Sequence, residues 1–163
     1  MSETICDTSP LLYLYRIGTI DLLPNIFEEI WCPNAVVDEL REGCERGYDV
    51  PNPGDYSWLQ IVDPKSMPSE WLSLDLGAGE LAVMALALEY PARIVLLDDG
   101  LARRIAKAAG LNVWGTLKLL LEGKSIEFVK ELEPLVSRLT EAGMWISSDI
   151  KERILALAGE KTI

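Results

Sequence analysis

Short apolar runs that alternate with helical patterns recur along this chain, and they are the feature that most strongly limits its fold. The clearest run, residues 94–97, has the uninterrupted apolar character of a parallel strand buried on both faces. The amphipathic segment after it, residues 101–110, ends at Gly110, and glycine is the residue that most often terminates a helix. Alternating strands and helices of this kind predict an α/β fold with a mostly parallel sheet.

The rest of the chain follows the same alternation. Pro10 is suited to the first position of a helix that should stop at Gly18, and Asn34 is suited to cap the helix after the second strand. The apolar residues 81–88 predict a helix that is buried on most sides. Further strands are predicted over residues 4–6, 28–32, 59–62 and 111–115, and further helices over residues 22–26, 35–47 and 116–123.

A chain of 163 residues fits a single domain. We expect residues 1–124 to form its α/β core and residues 125–163 to form a helical C-terminal extension that is interrupted only at Gly143. Asp149 and Glu152 have the spacing of a capping box at the start of the last helix.

The sequence favours a cytoplasmic protein without a membrane segment. No apolar run approaches the roughly 18 residues of a membrane span, and the first ten residues lack a basic, apolar leader. The three cysteines are an odd number without metal-type spacing. Because Cys6 and Cys32 lie in strand-like runs, we expect them to be buried, reduced thiols.

Acidic residues stand at the edges of the apolar runs. Asp7 and the pair Asp98-Asp99 follow predicted strands, and Glu39 and Glu80 lie in the first turns of predicted helices. Ligand sites of open α/β sheets form at the carboxyl ends of the strands, so these side chains should meet there. Gathered carboxylates repel each other unless a cation neutralises them, and oxygen ligands suit Mg²⁺ or Mn²⁺. The absence of histidine excludes histidine-based general-base catalysis and disfavours a catalytic zinc site.

The net charge of −11 argues against a protein that coats nucleic acid by nonspecific phosphate neutralisation. It leaves open an enzyme that acts on nucleic acid through metal ions and a local basic patch. The candidates for such a patch are Arg103, Arg104 and Lys107, which could equally form a solvated helix face. Scattered tryptophans are expected mostly in the core or at subunit contacts, with base stacking the less favoured interpretation. They are Trp31, Trp58, Trp71, Trp114 and Trp145.

Five segments, in this order, resemble the PIN domain, the fold of VapC-type toxin nucleases. They are residues 6–27, 33–40, 76–89, 95–121 and 141–160. The resemblance covers nearly the whole chain and is weakest over residues 47–71. It implies a three-layer α/β/α fold with a central, mostly parallel sheet, a helical C-terminal tail and an acidic pocket. It also implies a metal-dependent ribonuclease.

The resemblance assigns the acidic positions one by one. Asp7 matches the first acidic position of the family, and Glu39 matches the second. Glu80 matches the third, where the family more often has an aspartate. For the fourth position we favour Asp98, because it directly follows the strand, and we keep Asp99 as the second candidate.

These matches imply roles for the site residues. Asp7, Glu80 and Asp98 would hold one or two Mg²⁺ or Mn²⁺ ions, with Asp99 as a further candidate ligand. Glu39 would orient or deprotonate the attacking water. Hydroxyl groups that commonly support such a site are matched by Thr8 and Ser9.

We therefore expect a Mg²⁺- or Mn²⁺-dependent endoribonuclease that acts on single-stranded RNA, forms a homodimer, and could be the toxin partner of a cognate antitoxin. The first alternative is a PIN-like protein that binds nucleic acid without cleaving it. The second is a phosphate-transfer protein of the aspartate-nucleophile phosphatase or receiver type. It is disfavoured because Ser9 occupies the place of the second aspartate of the phosphatases, and because no lysine follows the strand-like runs at residues 94–97 and 112–114.

Overall fold

A computed structural model describes residues 2–160 and shows one five-stranded sheet with the strand order β3-β2-β1-β4-β5. All four strand pairs are parallel. Helices cover the sheet in a three-layer α/β/α arrangement, which confirms the predicted fold class. The strands are β1 (Ser2–Cys6), β2 (Phe27–Cys32), β3 (Leu59–Ile61), β4 (Ile94–Leu96) and β5 (Val113–Trp114).

Eight α-helices connect and follow these strands within residues 2–160. They are α1 (Thr8–Arg16), α2 (Leu22–Ile26), α3 (Asn34–Glu45), α4 (Ala78–Glu89), α5 (Gly100–Ala108), α6 (Thr116–Ser125), α7 (Glu133–Glu141) and α8 (Ser148–Leu157). Two short 3₁₀ turns, Pro53–Asp55 and Ser69–Ser73, interrupt the connections on either side of β3. None of the helices described over residues 2–160 is both long and apolar enough to cross a membrane.

The register of the sheet brings three strand ends to the same level. Cys6 of β1 pairs with Leu96 of β4, and Leu96 pairs with Trp114 of β5. Because all strands are parallel, the residues that follow these three positions leave the sheet at one edge. This geometry, rather than sequence proximity, brings the predicted acidic residues together.

The apolar helix α4 forms the centre of the core. Its residues 82–87 are buried, and the helix packs against β1, β4 and α3, so it meets protein on most of its surface. The prediction of a helix buried on most sides is confirmed. Cys6 and Cys32 are buried free thiols, as expected.

Two helix starts differ from the sequence prediction. Helix α1 begins at Thr8 instead of Pro10, which places Asp7 at the N-cap position. Asn34 is the first residue of α3 and does not cap it. Its backbone and side-chain amides instead donate to the carboxylate of Asp63, at 2.8 and 2.7 Å, which ties α3 to the segment after β3.

The C-terminal part is less helical than predicted. Residues 126–132 connect α6 to α7 without a helix, because this segment buries Val129 and Leu132 in the core. The cap of α8 is Ser147, whose Oγ accepts a hydrogen bond from the Ile150 backbone, so the predicted capping box at Asp149 is wrong.

Glu160 fastens the end of the described chain to this part of the fold. Its carboxylate accepts hydrogen bonds from Lys124 Nζ at 2.8 Å and from the backbone N–H groups of Leu132 and Glu133 at 2.7 and 3.1 Å. The two N–H groups belong to the start of α7, where an anion is favoured.

Glu160→Gln is expected to lower the free energy of unfolding by about 1–2 kcal/mol, because it removes the charge from three hydrogen bonds. Urea unfolding followed by circular dichroism measures this change. The matched control is Glu141→Gln, which alters an exposed acid of the same part of the chain. Equal stabilities of the two variants would contradict the role given to Glu160.

Candidate active site

A single cavity of about 420 Å³ lies at the edge of the sheet where β1 and β4 end. It brings together all five acidic residues singled out in the sequence, although they come from segments up to 92 residues apart (Asp7 to Asp99). The cavity is lined by Asp7, Thr8, Ser9, Tyr13, Glu39, Glu80, Asp98, Asp99, Met144 and Trp145.

Asp7 is the most deeply buried acid of the cavity. It directly follows β1, its backbone N–H donates to Leu96 O at 3.1 Å, and the residue is 3% exposed. Burial raises the pKa of its carboxyl group from 3.8 to about 8, and the charges of Glu80, Glu39 and Asp98 act in the same direction. Within residues 2–160, the buried oxygen Asp7 Oδ1 has no hydrogen-bond partner. An unsatisfied buried carboxylate oxygen of this kind is a suitable position for a cation.

Glu39 reaches the cavity from α3 because the second residue of α4, Gly79, has no side chain. The backbone N–H of Gly79 donates to Glu39 Oε1 at 2.6 Å. A Cβ atom at position 79 would overlap this oxygen and lie 3.3 Å from Asp7 Oδ1. Burial raises the pKa of Glu39, and the hydrogen bond from Gly79 partly opposes this effect. Glycine at position 79 therefore permits the close approach of two carboxylates.

Glu80 has two roles in the structure. Its Oε1 accepts a hydrogen bond from the Gly77 backbone at 2.9 Å, so the side chain helps to cap α4. The same side chain lines the cavity, where burial raises its pKa and the charges of Asp99 and Glu39 add to the effect.

Asp98 and Asp99 differ in what they contact. The carboxylate of Asp98 accepts hydrogen bonds from the backbone and the hydroxyl of Thr116, at 2.8 and 2.7 Å. Burial raises the pKa of Asp98, while the bonds from Thr116 and the nearby Arg103 guanidinium lower it. Asp99 is exposed and caps α5 by accepting from the Ala102 backbone at 2.9 Å. Both line the cavity, but Asp98 is oriented by Thr116, whereas the carboxylate of Asp99 is engaged in capping α5.

Thr8 and Ser9 line the cavity as their sequence positions suggested. The Thr8 hydroxyl is buried and lies close enough to Glu39 to lower the pKa of that carboxyl group, although it makes no hydrogen bond of good geometry among residues 2–160. Of the predicted basic group, Arg103 lies nearest to the acids, because its Nη1 donates to Leu97 O at 2.9 Å. Arg104 and Lys107 are exposed on α5 and do not line the cavity.

Several residues of the site carry no clear signal in the sequence. Thr116 is fully buried against Asp98, and its position directly after a short strand was the one available clue. Gly115 leaves room for Arg103 and Asp98, since a Cβ atom there would lie 2.8 Å from Arg103 Nη1. Met144 and Trp145 reach the cavity from the C-terminal segment between α7 and α8. Local sequence patterns do not predict where this segment lies relative to the sheet.

The opposite edge of the sheet shows how this protein neutralises buried charge. There the buried Arg93 guanidinium contacts Glu3 at 2.8 Å, contacts Glu29, and lies over the ring of Trp31 at 3.3 Å. Of the residues that line the acidic cavity, none is a lysine or arginine. Arg103 lowers the pKa of Asp98 from outside the cavity, but no cation lines the cavity itself in the way that Arg93 stands among the acids of the opposite edge.

The donor set fits a hard divalent cation. All candidate ligands are carboxylate or hydroxyl oxygens, and the unsatisfied Asp7 Oδ1 belongs to an acid whose pKa is raised by the charges of three neighbouring acids. In the part of the chain that the structure describes, no three Asp, Glu or Cys side chains already stand in an arrangement that would hold an ion. Binding of a cation would therefore require a rearrangement of these side chains.

The raised pKa of Asp7 predicts a pH-dependent stability of the metal-free protein. Between about pH 4 and about pH 8, Asp7 of the folded protein retains a proton that the unfolded chain has released. The free energy of unfolding is therefore highest below this window, where Asp7 is neutral in both states, and it falls as the pH rises towards 8. In EDTA, wild type should therefore lose stability relative to Asp7→Asn as the pH rises. Chemical unfolding of both proteins at about pH 5 and about pH 8 measures this difference. A difference that stays constant would contradict the raised pKa.

Comparisons with known proteins agree with this architecture. A family model described as a PIN domain matches residues 3–160. A solved structure of a PilT N-terminus domain protein from the hyperthermophilic archaeon Sulfolobus solfataricus P2 superimposes with a TM-score of 0.56 at 17% identity. The match covers 74% of this chain and 92% of that chain, and at this identity it supports the fold alone. Comparison with curated proteins gives no match.

Proposed function

Because the chain belongs to the PIN domain family, whose members are generally nucleases, we propose that it is a divalent-metal-dependent endoribonuclease that cleaves single-stranded RNA. The observation that carries the proposal is the cavity that Asp7, Glu39, Glu80 and Asp98 line together and that no lysine or arginine lines. Such a site attracts Mg²⁺ or Mn²⁺ and, once neutralised, can accept a phosphate.

Three acids are the candidate ligands. Asp7 offers the unsatisfied Oδ1, Glu80 offers the oxygen that does not cap α4, and Asp98 is oriented by Thr116. Asp99 is the further candidate, although its Oδ2 is engaged at the start of α5. The chemistry that Mg²⁺ or Mn²⁺ supplies when bound is neutralisation of the scissile phosphate and a lowered pKa of water.

Glu39 is the candidate general base. Its Oε1 is held by Gly79, which leaves Oε2 available to accept a proton from water in the cavity. Burial raises the pKa of Glu39 and so makes its carboxylate a stronger base. Thr8 and Ser9 line the same cavity, which supports a role for their hydroxyl groups in holding ligand oxygens or water.

The test compares Glu39→Gln with Asp38→Asn in cleavage of a labelled single-stranded RNA, with Mn²⁺ and with EDTA. Glu39→Gln keeps the hydrogen bond from Gly79 but removes the base, so we expect a loss of about 10²-fold or more. Asp38 is an exposed neighbour on the same helix, and its variant should cleave like wild type. Cleavage that persists in EDTA, or equal rates for both variants, would contradict the proposal.

The proposal extends to the setting of the enzyme. We expect a cytoplasmic, single-domain protein with a core at residues 1–124 and an extension at residues 125–163. A homodimer and a cognate antitoxin stay predictions. Binding of RNA phosphates by Arg103, Arg104 and Lys107 stays a prediction.

A further inference from the structure

A second cavity, of about 320 Å³, adjoins the acidic one. Asp98, Met144 and Trp145 line both cavities, so the two cavities lie side by side. The volume is at the lower end of the range of small-molecule sites, about 300–1,000 Å³. The second cavity is therefore large enough for one planar group next to the acidic site.

Trp145 stands at the boundary of the two cavities and is 84% exposed, the highest value among the large apolar side chains of residues 2–160. An indole is normally buried at least in part, as Trp71 is at 9% exposure. The backbone around Trp145 is the short connection between α7 and α8, which also supplies Met144. The connection thus presents a large aromatic surface to solvent beside a polar cavity.

The remaining walls of the second cavity combine apolar surface with one cation. Leu117, Ile146 and Ile150 supply the apolar part, and Arg103 supplies the positive charge. The guanidinium of Arg103 has five N–H donors, of which Nη1 donates to Leu97 O. A nucleotide has the complementary chemistry, because its base is planar and largely apolar on its faces while its phosphate is anionic.

We propose that the second cavity is a nucleobase subsite in which a base next to the scissile phosphate stacks on Trp145. The inference rests on the proposed function and specifies its substrate. A base can reach Trp145 only when it is not stacked inside a duplex, so the substrate is a single-stranded polynucleotide. Stacking on an aromatic ring tolerates any base, so the subsite positions the strand without selecting a sequence.

The experiment measures binding of fluorescent hexamers by the full chain, in Ca²⁺, as fluorescence anisotropy. The probes are RNA hexamers, DNA hexamers of the same sequence, and a hexamer whose backbone lacks all bases. Trp145→Ala should weaken binding of the base-containing hexamers about 5- to 150-fold and leave binding of the abasic hexamer unchanged. Trp145→Phe should retain most of the affinity. RNA and DNA results together show which strand the site prefers.

The matched control is Phe128→Ala. Phe128 is an aromatic residue with 42% exposure in the connection after α6, at the end of that helix away from the cavity. This variant should bind all probes like wild type. Because Trp145 is exposed, its replacement should leave the fold intact, which circular dichroism checks.

The outcomes separate this inference from the proposed function. If wild type cleaves RNA with Mn²⁺ but Trp145→Ala binds base-containing and abasic hexamers as wild type does, the subsite is wrong and the nuclease stands. If binding depends on Trp145 and on bases but no strand is cleaved, the subsite stands and the nuclease is wrong. If Trp145→Ala only converts a dimer to a monomer in light scattering, Trp145 is a subunit contact and the inference is overturned.

Discussion

Asp7→Asn is expected to abolish Mn²⁺-supported cleavage of single-stranded RNA, a loss of at least about 10³-fold, while thermal stability stays unchanged or rises. The amide keeps the shape of the side chain but cannot provide an anionic ligand oxygen. It also removes a charge that burial and three neighbouring acids disfavour, as the raised pKa of about 8 indicates. Loss of activity together with retained or higher stability is the mark of a functional carboxylate.

Cleavage rates and thermal melts of the purified variant measure both effects. The control is Asp63→Asn, which changes an acid that follows β3 at the same edge of the sheet but lies outside the cavity. Asn34 lowers the pKa of Asp63, so its charge is stabilising, and the variant should lose some stability while keeping its activity. Full activity of Asp7→Asn would remove Asp7 from the mechanism.

Gly79→Ala is expected to lower cleavage by about 10²-fold or more, because the new methyl group would occupy the position of Glu39 Oε1. The candidate base would have to leave its place beside Asp7. Moving Glu39 away lowers the free energy of unfolding, but alanine is favoured over glycine within a helix by about 1 kcal/mol, and this gain offsets part of the loss. Activity should therefore fall much more than the free energy of unfolding.

Gly77→Ala is the matched control for this variant. A Cβ atom at position 77 would lie 3.4 Å from Glu80 Oε1, an ordinary contact, and the Gly77 backbone is already extended. Alanine there retains the N–H group that donates to Glu80, so cleavage should remain near the wild-type rate. Equal cleavage rates of the position 77 and position 79 variants would mean that cleavage does not depend on the position of the Glu39 carboxylate.

The acids that directly follow strands could be assigned to the site from the sequence. Asp7 and Asp98 directly follow apolar runs, and parallel strands deliver such residues to one edge whatever their distance along the chain. Glu39 and Glu80 depended on the ordered resemblance, since acids are common on helices. Glu80 lies in the first turn of α4 as predicted, but Glu39 is the sixth residue of α3, so its predicted place in the first turn is wrong. The structure indeed shows that Glu80 also caps its helix.

The parts that escaped prediction depend on tertiary contacts. Gly79 matters because α3 brings Glu39 against it, and Thr116 matters because β5 ends beside Asp98. The tryptophans were expected mostly in the core or at subunit contacts, and the exposure of Trp145 beside the cavity excludes the core for this one. Local sequence patterns do not indicate which distant segment a residue will contact, so these contacts can be identified only in the folded structure.

The central claim is that the acidic cavity binds a divalent ion, and anomalous X-ray scattering from crystals soaked in Mn²⁺ tests it most directly. We predict an anomalous peak that contacts Asp7 together with Glu80 and Asp98, and its disappearance in Asp7→Asn crystals. A protein that cleaves RNA with Mn²⁺ but shows its anomalous peak only outside this cavity would contradict the claim.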